Sequence, residues 1–236
     1  MDMNPFKSVS DYATMLNKIA ISTFSVAVSS VIVLRWQFQS LDSFLSNLNT
    51  MVPVAGGINF PVGTLLPAFL VALLSRIFKC HDRISDLFGI RQRFDVGEIL
   101  LPLAVGSGSS LTVDGIRNVK KQRESLMNKV FYKYASSTKE KSTIDHHYIT
   151  MALDQWCWYW IVLEATSIVF LLGATFFVAS RYLSAALSLA GVLLAIGILQ
   201  IIRQQCAIYA LQEVEAILED RQRAQSVAEG FHAVQS

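Results

Sequence analysis

Glu164 is the residue whose surroundings most constrain its chemistry. The run WIVLEATSIVFLLGATFFVA, residues 160 to 179, carries no other charge. Inside hydrocarbon an acid costs about 2.5–3.5 kcal/mol on insertion scales, so it is protonated, faces protein or water, or is given a donor. Trp160 and Ser167 share its helical face at i−4 and i+3. Two roles stay open for it: a pore-lining or gating acid, and a single interhelical hydrogen bond that fixes packing. Small side chains recur at helical spacing in two other runs, Ser22, Ser25 and Ser29 in one and Ser184, Ser188, Gly191 and Ala195 in the other. Such stripes let helices approach closely, so they are candidates for a helix interface or a pore wall.

A third group is basic. Lys120, Lys121, Arg123 and Lys129 flank a periodic apolar pattern, Ile116, Val119, Leu126, Val130 and Tyr134, so one amphipathic helix from Thr112 to Tyr134 is expected, with a regulatory basic face. Cys80 and His81, with Asp145, His146 and His147, bring metal-type ligands near two apolar runs, but adjacent ligands without C-x-x-C or H-E-x-x-H spacing make a poor zinc shell. The GSGSS stretch at 106–110 lacks the lysine of a phosphate loop, and no G-x-S-x-G elbow occurs. The residues therefore point to no catalytic group, no metal centre, no cofactor and no enzyme.

The elements that must hold these residues are membrane spans. Of the 236 residues, 53% are hydrophobic and only 16% charged, against roughly 25% charged in soluble domains. Four apolar runs approach the ~20 residues a spanning helix needs: Ile19 to Trp36, Phe60 to Phe78, Trp156 to Ala179, and Tyr182 to Ile202. Only Ser180 and Arg181 separate the last two, so they form an antiparallel hairpin. Pro61 is expected in the first turn of the second run, and Pro67 is expected to kink it. Trp36, Trp156, Trp158 and Trp160 are expected to anchor span ends at the headgroups.

Charge sets the orientation. Thirteen Lys and Arg fall between Arg76 and Lys141, whereas residues 37 to 59 contain none. Basic residues are retained inside, so the central segment and both termini are expected in the cytoplasm, with Arg35 and Arg181 as minority votes. The expected fold is all-α: residues 1–78 hold an N-terminal cytoplasmic segment and two spans, 79–155 a basic insert, 156–203 the hairpin, and 204–236 a cytoplasmic helix and tail. In the outer loop, Phe38, Leu41, Leu45 and Leu48 mark a short surface helix, and Pro53, Gly56 and Gly57 break the chain after it. Ile99 to Val105 is too short to span and is expected to pack against the inner ends of the spans. The last helix continues through Leu218 and touches the insert, and the final dozen residues are expected to fray. The odd cysteine count, Cys80, Cys157 and Cys206, excludes a disulfide framework.

The segment Cys80 to Ala104, CHDRISDLFGIRQRFDVGEILLPLA, with spans arranged around a basic insert, resembles small bacterial antiphage-defence membrane proteins, in particular the transmembrane effector of a retron. That resemblance implies an inner-membrane effector of abortive infection. It would perturb or permeabilise the bilayer when released from a reverse transcriptase and its noncoding nucleic acid. Retron effectors have two spans, whereas four are counted in this chain. Membrane lipid, that nucleoprotein complex and a further copy of the chain are the partners expected. A small channel or transporter, or a membrane-anchored scaffold or sensor recruiting a cytoplasmic partner, are the other readings.

Overall fold

The computed structural model describes residues 9–48, 51–54, 58–138 and 142–235, with side chains left out at 51–54, 58–61, 234 and 235. Lys7, Gly56, Gly57, Lys139 and Lys141, which entered the reading of charge and chain breaks, lie outside the described residues. The described chain is helical except for one two-stranded antiparallel pair. It divides into two compact units, one built chiefly from Leu16–His81 and Trp158–Gln200, the other from Lys7–Met15, Asp82–Cys157 and Ile201–Ser236.

The first unit holds the apolar helices. α1 (Tyr12–Gln37) opens where Asp11 Oδ1 accepts the Thr14 amide at 2.8 Å, an N-cap that also lowers the Asp11 pKa by hydrogen bonding its charged form. α2 (Gln39–Asn47) is the short outer-loop helix, with Leu45 buried. β1 (Met51–Val54) and β2 (Ile58–Pro61) follow, in register from Met51↔Pro61 to Val54↔Ile58. The second span therefore does not begin at Phe60. Phe60 and Pro61 pair in β2, and α3 (Val62–Phe78) starts after them. Its 17 residues cover ~25 Å, short of ~30 Å of hydrocarbon.

α3 continues through Pro67, and the bend comes later, between α3 and α4 (Cys80–Phe88), which turn by 58°. Lys79 supplies the turn with φ 47°, a left-handed conformation few side chains adopt. Among the described residues three helices are long and apolar enough to cross a membrane, α1, α9 (His146–Val178) and α10 (Tyr182–Leu218), and four if α3 with α4 counts as one broken span.

The link between α9 and α10 is a Schellman turn. Ser180 takes φ 59°, its amide donates to Phe177 O at 3.0 Å, and the Arg181 amide donates to Phe176 O at 2.8 Å. Leu183, Leu187, Leu193, Leu194 and Ile201 are all exposed around α10, a surface that water would penalise and lipid would cover. At ~55 Å, α10 outruns the bilayer, and its polar continuation starts at Arg203, Gln204 and Gln205.

The second unit holds the insert and the C-terminus. α5 (Ile90–Phe94) leads into a π-helical segment, Asp95–Leu100, then α6 (Leu101–Gly106). The Leu101 amide reaches Val96 O, five residues back. Pro102, which has no N–H for Glu98 O and whose ring would crowd it, accounts for the widened turn. The basic helix expected over 112–134 is three pieces: α7 (Val113–Lys121), α8 (Arg123–Leu126) and a π segment, Met127–Phe131. Gln122, at φ −101° and ψ 19°, interrupts it, and Thr112 caps the first piece by accepting the Gly115 amide at 3.1 Å.

α11 (Arg221–Gln235) corrects the expectation of a frayed end. Asp220 Oδ1 accepts the Gln222 and Arg223 amides at 2.8 and 3.0 Å, and Val227 and Phe231 are fully buried. α11 packs on α6, α7 and the π segment of Met127–Phe131, so close that a Cβ on Gly230 would meet Val130 Cγ1 at 2.6 Å. Ile99, Leu100, Leu103 and Ala104 are buried in this core. The short ILLPLAV run thus serves the insert's own packing.

Candidate functional site, a buried carboxylate cluster

Glu164 on α9 is 4% exposed and receives hydrogen bonds from three other segments of the first unit. Thr23 Oγ1 of α1 donates to Oε2 at 2.5 Å, and Ser75 Oγ of α3 donates to the same oxygen at 2.9 Å. His81 Nδ1, at the start of α4, lies 3.1 Å from Oε1, with both side chains 4% exposed. One carboxylate therefore ties four helical segments together at a single point.

Each partner is placed by a local feature of the chain. Thr23 lies on the buried stripe of α1, with Ile19 and Ala27 at i−4 and i+4. Ser75 lies one turn from the end of α3. The Lys79 break then redirects the chain, and His81 follows it. The His81 ring sits 5.8 Å from the Trp160 ring. Trp160, one helical turn before Glu164, is buried, so it packs inside the unit rather than anchoring at the headgroups.

Beside the carboxylate lies a cavity of about 110 Å³ lined by Leu16, Ile19, Ala20, Ser75, Arg76, Lys79, His81 and Glu164. At ~30 Å³ per water, it has room for a few molecules. Arg76 Nη1 donates to Asn17 Oδ1 at 2.8 Å at its edge. Lys18 Nζ stands 4.7 Å from the centre of the Trp158 ring, a cation–π contact. The arrangement can hold a negative charge among donors, release it on rearrangement, and exchange a proton through the cavity.

The other sequence candidates lie elsewhere. Ser167 Oγ donates to Leu163 O of its own helix at 2.9 Å. Ser22 is partly exposed, and Ser25 and Ser29 are exposed and donate to Ile21 O and Ser25 O. On α10, Ser188 Oγ donates to Ser184 O. A Cβ on Gly173 would lie 2.9 Å from Ser188 Cβ, so the close approach within the hairpin uses Gly173 and Ser188, whereas Gly191 meets Val169 at an ordinary 3.9 Å. Asp145 caps α9 by accepting the His147 amide at 2.9 Å. Among the described residues no group of His, Cys, Asp and Glu is arranged to hold a metal ion.

At the other end of α1, Arg35 is held by polar side chains. Its guanidinium donates to Asp42 Oδ1 at 2.7 Å, Thr64 Oγ1 at 2.6 Å and Ser46 Oγ at 3.1 Å, binding α2 and the start of α3.

In the second unit, Lys120, Lys121 and Arg123 line an open cleft, and Lys129 is exposed outside its lining. Arg123 donates to the buried Asp95 at 2.7 Å and to Glu124 at 3.1 Å. Burial raises the Asp95 pKa, against the pull of Arg91 and Arg123.

Sequence reasoning singled out Glu164, weighed His81 only as a poor metal-type ligand, and passed over Thr23 and Ser75. His81 follows one apolar run and Glu164 lies inside another, and the turn at Lys79 brings the two together.

No curated protein and no solved structure matches the chain. The model of the YmfE protein family matches residues 11–229, a stretch that includes the carboxylate cluster, the insert and most of α11, and the chain belongs to that family.

Proposed function

We propose that the protein is an inner-membrane effector that permeabilises the bilayer, with the Glu164 cluster as the latch that holds its spans in the closed arrangement. The observation that carries this is the buried carboxylate bonded to Thr23, Ser75 and His81. A polar tie at this depth is costly to place, and its loss frees four segments at once. The water-sized cavity against it, edged by Arg76 and Lys79, supplies the start of a polar path once the tie opens.

In this reading both termini and the insert are cytoplasmic, which the basic residues from Arg76 to Lys141 support. A cytoplasmic signal acts on the insert. In the antiphage version that signal is release from a retron-type reverse transcriptase with its noncoding nucleic acid.

The test is controlled expression in bacteria with a voltage-sensitive dye, comparing the natural chain with Glu164→Gln. Depolarisation that begins at lower expression in the variant supports a latch. Selective, saturable flux without toxicity would assign the protein to channels or transporters. A silent substitution together with intact potential at growth-arresting expression would assign it to membrane-anchored scaffolds and remove the permeabilising role.

A further inference from the structure

The insert carries a cleft of about 550 Å³ between the α4–α5 turn and the α7–α8 break, lined by Asp86, Gly89, Gln92 and residues 120–125. Three of its lining residues are cations, Lys120, Lys121 and Arg123, and two are anions, Asp86 and Glu124. Arg123 already binds Glu124 and Asp95. Lys120 and Lys121 make no ion pair among the described residues, and both are exposed at the C-terminal end of α7, where the interruption at Gln122 turns them toward the cleft. The available charge of the cleft is therefore positive, two lysines against Asp86.

The turn that joins the lining residues Asp86 and Gly89 has a different character. Leu87 is 78% and Phe88 61% exposed, and they stand between the lining residues Asp86 and Gly89. Their position is held firmly. Gly89 takes φ 59° and its amide donates to Asp86 O at 3.1 Å, while Arg93 Nη2 donates to Phe88 O. Two large apolar side chains fixed in an exposed turn beside free lysines form a surface matched to a membrane interface, where the rings enter the acyl boundary and the ammonium groups meet phosphate.

We propose that this cleft is a binding site for the phosphate headgroup of an anionic phospholipid, with Lys120 and Lys121 as its ligands and Leu87 and Phe88 as its apolar anchor. The site requires anionic lipid on the insert's side, and so shares the orientation assigned above, but it does not depend on permeabilisation.

The experiment uses the full chain in neutral-detergent micelles, carrying Cys80→Ala and a bimane label on Leu87→Cys. It is titrated with dioctanoyl phosphatidylglycerol or dioctanoyl phosphatidylcholine. The expected result is a saturable blue shift whose midpoint is at least ~10-fold lower for phosphatidylglycerol. Changing both lysines to Gln raises that midpoint roughly 30-fold, about fivefold for each charge at an anionic surface. Arg117→Gln removes the same charge from α7 outside the cleft and leaves the midpoint in place.

Native mass spectrometry of the unlabelled chain, with retained phosphatidylglycerol lost in the double-lysine variant, checks the result without a label at residue 87. Competition by glycerol phosphate or inorganic phosphate at millimolar concentration supports recognition of the headgroup. Equal midpoints for the two lipids, an Arg117→Gln effect as large as that of the lysines, or occupation by an RNA oligonucleotide in preference to phosphatidylglycerol would each overturn the proposal. Because the assay is done in micelles, its failure leaves the permeabilising role standing, and the dye experiment judges that role separately.

Discussion

Glu164→Ala removes the acceptor shared by Thr23, Ser75 and His81 and leaves three polar groups facing a space the size of the lost side chain. Hydrogen bonds between transmembrane helices average ~0.6 kcal/mol in double-mutant cycles and reach ~1.7 kcal/mol, so three of them give a loss of about 2–5 kcal/mol. Glu164→Gln keeps one carbonyl oxygen. Turned toward Thr23 and Ser75 it still accepts both hydroxyls, so about a third of that loss is expected. Equilibrium unfolding of the purified chain in micelles, by steric trapping, measures both variants. A cycle pairing Thr23→Val with Glu164→Ala should show coupling of ~0.6–1.7 kcal/mol. If Glu164→Ala costs less than ~0.5 kcal/mol and the coupling is zero, the carboxylate holds nothing together and the latch is wrong.

Three further outcomes follow from individual contacts. Gly230→Val places a branched side chain 2.6 Å or less from Val130, which is buried and cannot swing away, so α11 loosens at a cost of about 1–3 kcal/mol and residues 221–235 become sensitive to limited proteolysis. Gly173→Leu pushes against Ser188 Cβ at 2.9 Å and opens the α9–α10 hairpin, read as a fall in crosslinking between cysteines placed at Val169 and Val192. Glu213, about 16 Å past Ile202 and beyond the fourth apolar run, is buried, and burial pushes its pKa up to about 8. Between about 4.5 and 8 the folded chain holds a proton that the unfolded chain releases, so stability falls as pH rises through that window. Glu213→Gln should flatten this dependence in thermal unfolding from pH 5 to pH 9, and an unchanged slope would contradict it.

The apolar helices were legible because their signal is long. α1, α9 and α10 each carry an uninterrupted hydrophobic run, and the two-residue link at Ser180 and Arg181 leaves no topology but a hairpin. What was missed depends on single residues or on distant partners. The Lys79 break depends on one left-handed residue with no glycine to announce it. The π-helical turns come from Pro102 and from packing, and neither changes the apolar period enough to be noticed. α11 had a readable start in Asp220 and a readable face in Val227 and Phe231, but its polar composition masked them.

The serine stripe of α1 drew attention because serines are visible in an apolar run, yet Ser25 and Ser29 bond their own helix, and Thr23 is the polar side chain buried against Glu164. Glu164 was legible as a cost that needed a partner. The partner was not, because His81 belongs to a segment whose direction is set by the break before it.

The most direct measurement follows membrane potential and growth together as expression rises, in cells carrying the natural chain, Glu164→Ala or Thr23→Val. Depolarisation should precede growth arrest in all three, at the lowest expression for Glu164→Ala and an intermediate level for Thr23→Val. Arrest with the potential intact, or identical thresholds for the three chains, would contradict a permeabilising protein latched at Glu164.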